Sequence, residues 1–323
     1  IGQQSNNVTN YNLDGYLAEV NFIDGSALDP TSFGELDDNN VWQPKDTASL
    51  TFGTNGFRLK FDDNSSNAAL GTDSSGNGNN WSVSNLSVAA GAGNDSLVDT
   101  PTNGTQSDTG AGGEVVGNYA TWNALSETGA TLANGNLEAT LTAAGAGKES
   151  VRGTLAVSSG KFYWEELLSD TGNQSGHYGV VAASTGPDIR LDTTSGTNAV
   201  LYAAWNGNKA VNGTVTSYGA SFTTGDVIGV ALNLDAGTIT FYKNNSSQGS
   251  ISLPTTGIAY TPTFAWSGAA SAGTTKTNFG QRAFAYTAPS GFKALCTANL
   301  PDPTIADGST AFDAKLWTGN GST

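Results

Sequence analysis

A chain of 323 residues with a net charge of −15 and only 13 Lys and Arg cannot release many counterions from phosphates, which excludes nucleic acid as a partner. One cysteine, Cys296, excludes an internal disulfide framework, and no apolar run approaches the ~20 residues of a membrane-spanning helix, which excludes membrane insertion of that kind. Apolar residues at 37%, with 42 Gly besides, suffice for a core, whereas charge at only 13% leaves Asn, Ser and Thr to keep the surface soluble.

In chain order, residues 16–22 come first. Tyr16, Ala18, Val20 and Phe22 share one strand face, with Glu19 and Asn21 opposite; Asp24-Gly25 ends the strand and Pro30 blocks a helix. A hairpin is predicted about Asn55-Gly56, with Phe57, Leu59 and Phe61 on one side and Arg58 and Lys60 on the other. Residues 63–117 contain few large side chains beyond Leu70, Trp81, Leu86 and Leu97, and read as a Gly/Asn/Ser-rich extended linker pinned at Trp81 and Leu97. From Asn118 short apolar strands recur between Gly, Asn and Pro, with turn signals at Asn134-Gly135, Asn206-Gly207 and Asn212-Gly213. The densest is GDVIGVALNLDAGTITFYKNN, Gly225 to Asn245. There Ile228, Val230, Leu232 and Leu234 alternate up to a short turn, and Ile239 and Phe241 resume the pattern. The expected fold is all-β, an antiparallel sandwich or barrel, with no 3.6-residue period anywhere.

The strings SSGKFYWEELL, GDVIGVALNLDAGTITFYKNN and NFGQRAFAYTAPSGFKAL, in that order, resemble a SPRY domain over about residues 118–295. Gly225–Val230 and Asp235–Phe241 are the most specific part. The resemblance implies a concanavalin-like sandwich of two antiparallel sheets, used for recognition and not for catalysis. At the position after Trp-Glu, where the family usually has an apolar residue, stands Glu166, so that strand end is expected at a rim. Residues 1–62 look like the C-terminal part of a laminin-G-like jelly roll. Residues 296–323 read as a linker and the start of a following module, from FDAKLWTGNGST, so both ends look cut from a longer polypeptide. The strings GTDSSGNGNNW, GAGNDSLVDTPTNG and GGEVVGNYAT resemble modular virion proteins of marine and cyanobacterial phages. That likeness implies a tail, fibre or head-appendage component located in the virion. Its partners would be other virion proteins, further copies of itself in a homo-oligomer, or a host-surface glycan or protein receptor.

Chemistry is sparse. A Ser-His-acid triad would depend on the single His177, which reads as a loop residue between Gly176 and Gly179. Glu165 and Glu166 are adjacent on a strand and face apart, whereas retaining glycoside hydrolysis needs two carboxyl groups about 5–5.5 Å apart. Asp62, Asp63 and Asp73 place oxygen ligands in loops, as calcium prefers, but none completes a Ca loop with its terminal Glu. No cofactor is expected. The binding candidates are aromatics near turns, Tyr202, Trp205, Tyr218 and Trp266, with Asn206 beside them, since flat rings next to amides suit sugar faces or protein partners. Three readings follow: a binding component of the virion, a purely structural spacer or capsid-decorating module, and a polysaccharide-degrading enzyme on the same sandwich.

Overall fold

The structure, a computed structural model, describes residues 15–36, 40, 42–100, 103–141, 149–170, 176–186, 197–266, 272–301 and 312. The predicted strand in FDAKLWT lies outside the described residues except for Phe312. Two small ribbons come first: β1 (Val20–Phe22), β2 (Gly34–Leu36), β3 (Trp42–Pro44) and β4 (Phe57–Leu59) pair as β1 with β4 and β2 with β3. The turn before Phe57 is present, closed by the Gly56 N–H on the Gly53 carbonyl at 3.3 Å. The hairpin is not, because β4 takes β1 as its partner instead of the residues preceding the turn. Arg58 also departs from its expected solvent side. Its guanidinium is buried, forked onto Glu19 at 3.0 and 3.1 Å and onto Asp46 at 3.0 Å, and a guanidinium supplied with two carboxylates tolerates burial.

Residues 63–117, expected to run as a linker, form almost no regular structure, yet they are tied down. The Asp73 carboxylate accepts the N–H groups of Arg58 (2.9 Å), Ser75 (2.8 Å) and Asn79 (2.8 Å) and the Ser75 hydroxyl (2.8 Å). The Asn77 and Asn79 amides bond back to the carbonyls of Gly53, Thr54 and Gly56. Further on, Gly91 bonds Ala283, Val98 bonds Gln281, Gly113 bonds Gly280, and Phe284 bonds Ala111, all main chain to main chain. The segment is therefore a strap laid on the sandwich, with Val115 buried under it and Leu97 packed on the main core. Trp81 sits edge-on to Phe57 at 5.2 Å and remains 41% exposed, so it pins the strap only at its rim.

The sandwich is built from β5 (Trp122–Thr128), β6 (Ala130–Ala133), β7 (Glu138–Leu141), β8 (Glu149–Gly153), β9 (Lys161–Asp170), β10 (Gly176–Ala182), β11 (Val200–Ala203), β12 (Asn208–Val211), β13 (Thr214–Ser217), β14 (Val227–Asn233), β15 (Thr238–Lys243), β16 (Ser246–Ser252), β17 (Tyr260–Trp266), β18 (Gly273–Asn278) and β19 (Lys293–Ala294). One sheet runs β13-β12-β11-β10-β17-β8-β5; the other runs β16-β15-β14-β9-β18-β7-β6, all antiparallel, with β19 added parallel to β9. β14 and β15 form the expected hairpin, Leu232 opposite Ile239 and Val230 opposite Phe241, with their shared face wholly buried. Strands β8 and β13 are additions that apolar alternation did not indicate. His177 is not in a loop: it lies within β10, opposite Ala203 and Ala265, and is wholly buried.

Between the sheets lie Trp122, Phe162, Trp164, Tyr178, Tyr202, Phe222, Phe241, Phe264 and Phe279 with the aliphatics of β14. A second cluster, Val115, Tyr119, Tyr163, Ala231, Phe284 and Ala294, covers the outer face of β9. The rim position expected for Glu166 is wrong. Phe162, Trp164, Glu166 and Leu168 alternate inward along β9, and Glu166 is fully buried in the inter-sheet core. It accepts the Trp164 indole N–H at 3.3 Å and the Thr275 hydroxyl at 3.4 Å. Burial raises its pKa to about 8, offset in part by those two donors. Glu165 faces the other way under the second cluster, and burial likewise raises it to about 7 against the N–H groups of Ala285 (2.7 Å) and Tyr286 (2.8 Å) and the Tyr163 hydroxyl.

A pH dependence follows. Glu166 ionises near its ordinary 4.5 in the unfolded chain and near 8 in the folded one, so between these values unfolding releases a proton. Stability is fully present below the lower value and is lost as pH rises through the upper, at roughly 1.4 kcal/mol per pH unit for each such group. The denaturant midpoint of the wild type is expected to fall between about pH 5 and about pH 8, and Glu166→Gln to flatten that fall. A wild-type midpoint that stays level would show that the core accommodates the ionised carboxylate.

Candidate functional site

β11 ends at Ala203, and the chain turns through Ala204, Trp205, Asn206 and Gly207 into β12. The turn is locked by main-chain bonds: Gly207 N–H to Ala203 (3.1 Å), Gly219 N–H to Gly207 (2.8 Å) and Phe222 N–H to Ala204 (2.9 Å). The Asn206 side chain accepts the Asn208 N–H at 2.9 Å, the Asx turn this residue favours. Gly207 takes a φ of +69°, and a Cβ there would meet the Gly219 carbonyl oxygen at 2.0 Å, so no other residue fits. On this fixed turn Trp205 is 56% exposed.

The five predicted aromatic and amide positions separate. Tyr202 is the floor and not the surface: it is wholly buried, its ring 4.7 Å from Phe222, 5.2 Å from Phe241 and 5.2 Å from Tyr218, and its hydroxyl donates to the Ala220 carbonyl. Trp266 is likewise core, at the same end of the sheet but two strands from β11, with Gly273 leaving the space its ring fills. These two residues are corrected from candidate contacts to packing. Tyr218 is half-buried. Its hydroxyl donates to the Gly249 carbonyl and accepts the Phe241 N–H at 3.3 Å, and the Lys209 ammonium lies 5.2 Å from its ring centre. Trp205, Asn206, Tyr218 and Lys209 thus gather at one end of the sandwich edge formed by β13 and β16.

The electrostatics of that edge differ from the rest of the chain. Residues 197–225 contain no Asp or Glu and a single Lys. Between residues 193 and 301 the carboxylates are Asp226 and Asp235, against Lys209, Lys243, Lys276, Arg282 and Lys293. Asp226 is itself paired with Lys243 at 3.2 Å and accepts the Asn244 amide at 2.6 Å; although burial opposes it, these partners and the Thr223 N–H hold it below the ordinary carboxylate range.

Sequence reasoning missed a cleft of about 610 Å³ between Tyr16–Ala18, the strap and the β6–β7 turn. Its charged walls are Asp95, Asp99, Glu138, Lys276 and Arg282, all held by the protein itself. Asp95 accepts the Ser87 N–H at 2.7 Å; Asp99 accepts that of Tyr119 at 3.1 Å, while burial pushes its carboxyl up; Glu138 pairs with Lys276 at 3.6 Å and takes the Asn134 amide at 2.7 Å. Arg282 donates to the Asn94 carbonyl at 2.7 Å, and its Nε is closed off from solvent without a partner, so its unused capacity does not open into the cleft. Glu165 and Glu166 face opposite sides of β9 and share no cavity. The weak cation candidates are occupied as well. Asp62 pairs with Lys60, Asp63 accepts the Ser65 N–H at 3.0 Å, and Asp73 holds four protein donors. Among the described residues no three His, Cys, Asp or Glu side chains converge.

Different stabilities are expected for the two aromatics of this region. Tyr202→Ala, which opens a cavity in the core, should cost about 3–5 kcal/mol, whereas Trp205→Ala should stay within about 1 kcal/mol. Denaturant titration checks this, and equal losses would mean that Trp205 is a packing residue.

Residues 161–282 match the SPRY domain, a module that binds other proteins. Among solved structures, the chain is similar to the SPRY domain of human HERC1 (26% identity, 48% of this chain and 96% of that one, TM-score 0.42). It is also similar to a human SPRY domain (16%, 47% and 96%, 0.37) and to the TRIM65 PSpry domain (18%, 49% and 90%, 0.39). No curated protein matches the chain.

Proposed function

We propose that this chain is a non-enzymatic component of a bacteriophage virion, of tail, fibre or head-appendage type, whose SPRY sandwich binds a protein partner through the surface around Trp205, Asn206 and Tyr218. The observation that carries the binding reading is Trp205: a large aromatic more than half exposed on a turn that three main-chain hydrogen bonds hold rigid. A ring presented in a fixed position loses little entropy when covered, which is how aromatic anchors dominate interfaces. Lys209 and the absence of carboxylates over residues 197–225 favour a neutral or acidic partner there.

The virion reading is supported by the phage-like strings. GTDSSGNGNNW is the loop organised by Asp73, GAGNDSLVDTPTNG contains the part of the strap that bonds Gln281 and Ala283, and GGEVVGNYAT leads into β5. A strap bonded to its own sandwich makes a stiff module, useful in an assembly that must transmit load. Neighbouring virion subunits or a host-surface protein or glycan are the partners of this reading, and repeated copies would multiply weak contacts. Residues 1–62 would close a laminin-G-like module, and residues 296–323 would lead into another.

An antibody raised against this chain should label purified phage particles in electron microscopy, at a distal site if the surface meets a host receptor and at an enclosed one if it meets virion subunits. Trp205→Ala should weaken capture of the partner so identified by at least ~10-fold. Particles that carry no label, or capture indifferent to Trp205, would remove the virion and the binding halves of the reading respectively.

A further inference from the structure

The outer strand β13 is a free sheet edge, and all four of its residues, Thr214, Val215, Thr216 and Ser217, are exposed. Its partner β12 joins it through Asn212 (φ +49°) and Gly213 (φ +85°), the two positive values of a type I′ turn. That turn sets the parity of the ladder. Val211 and Thr214, which flank it, exchange hydrogen bonds; Ala210 and Val215 do not; Lys209 and Thr216 do again. Val215 and Ser217 therefore direct their N–H and C=O groups away from β12, into solvent. Edges of this kind are normally blunted with charge, proline or a bulge, and β13 contains neither charge nor proline and pairs without a register shift.

We infer that β13 pairs antiparallel with β13 of a second copy of this chain, joining two sandwiches through one continuous sheet. The strand is self-complementary. With Thr216 facing its own counterpart across a two-fold axis, Val215 of each copy meets Ser217 of the other, and about four main-chain hydrogen bonds form. For a second copy, the charge distribution selects this edge over the others. Two chains of net charge −15 repel, and residues 197–225, which contain no carboxylate, let them approach while most of their acidic residues, in the strap, β5–β8 and the N-terminal ribbons, stay at the far side. The same two-fold carries the partner's Asn212-Gly213 turn towards the Ser217 end of β13. Trp205 sits at that end, since Gly207 bonds Gly219 and Asn208 pairs with Ser217, so the exposed ring gains a cover. The inference names one partner for the binding surface and rests on that surface being one. A four-residue edge makes the pair a weak one, multiplied only where other contacts hold copies together.

Sedimentation equilibrium of the full chain over a roughly hundredfold concentration range should show a monomer–dimer equilibrium. Val215→Pro, which removes an outward N–H and leaves the β12 ladder intact, should raise the dissociation constant at least ~10-fold, whereas Val215→Thr should not. Should the proline variant fold poorly, hydrogen exchange on the wild type decides: the Val215 and Ser217 amides should slow as concentration rises. A wild type monomeric at the highest concentration, a proline variant that still dimerises, or amides indifferent to concentration would each overturn the pairing. A monomer that still captures a virion protein through Trp205 would sink this inference alone and leave the binding reading intact.

Discussion

Strand β9 is covered on both faces, and the rest of the fold answers to that constraint. Phe162, Trp164, Glu166 and Leu168 enter the space between the sheets, and Tyr163 and Glu165 lie under the second cluster. A strand in this position has no solvent side on which to place a charge, yet it contains two consecutive glutamates. Each is supplied with donors from a different element. Glu165 takes the N–H groups of Ala285 and Tyr286, which fastens the loop after β18 to the sheet, and Glu166 takes the indole of Trp164 and the hydroxyl of Thr275 on β18. Gly229 on β14 belongs to the same arrangement. It stands opposite Glu165, and a Cβ there would lie 2.3 Å from the Tyr163 hydroxyl. The glycine in Gly-Asp-Val-Ile-Gly-Val is thus the space through which Tyr163 crosses its neighbouring strand.

That arrangement also shows where the sequence was legible. Alternation over Ile228–Leu232 and Ile239–Phe241 is strong because one face of the hairpin is core and the other is mixed, so period two survives in the residue types. Turn chemistry was equally readable. At Asn134-Gly135 and Asn212-Gly213 both residues adopt positive φ, the conformation Asn tolerates and other side chains avoid, and at Asn206-Gly207 the glycine alone does. Glu166 was misread because a buried carboxyl and a rim carboxyl look the same in one dimension; only the partners, one of them a residue over a hundred positions away, tell them apart. Arg58 failed for the same reason, its carboxylate partners Glu19 and Asp46 lying outside the hairpin it was assigned to. The strap failed differently. Its bonds to residues 280–284 are main chain to main chain, and such bonds leave no trace in side-chain pattern.

The candidate surface was half legible. Trp205, Asn206 and Tyr218 stand out as aromatics and amides beside turn signals, but position on a strand does not say on which side of a sheet the ring falls. Tyr202 and Trp266 share the composition of their neighbours and differ only in register, which the pairings of β10 with β11 and β17 decide. Strand β13 was invisible for a physical reason. A strand exposed on every face needs no apolar residue, so Thr-Val-Thr-Ser carries no alternation to detect.

The two ends of the sandwich therefore differ. On the side away from β13 the strap bonds residues 280–284 main chain to main chain and the Tyr16 hydroxyl donates to the Asn134 carbonyl in the β6–β7 turn, while Leu125 on the edge strand β5 stays 97% exposed. At the β13–β16 end residues 218–222 join the two sheets, with the Ala220 N–H on the Gln248 amide oxygen at 2.9 Å; carboxylates are absent over residues 197–225, and the polar side chains are hydroxyls and amides beside Lys209 and Lys243. Long charged side chains lose rotamer entropy and hydration when an interface forms, whereas Ser, Thr and Asn lose little of either. In a chain of net charge −15, an edge without carboxylates is where association costs least, and the half-exposed Trp205 ring beside it is the side chain that covering would desolvate most.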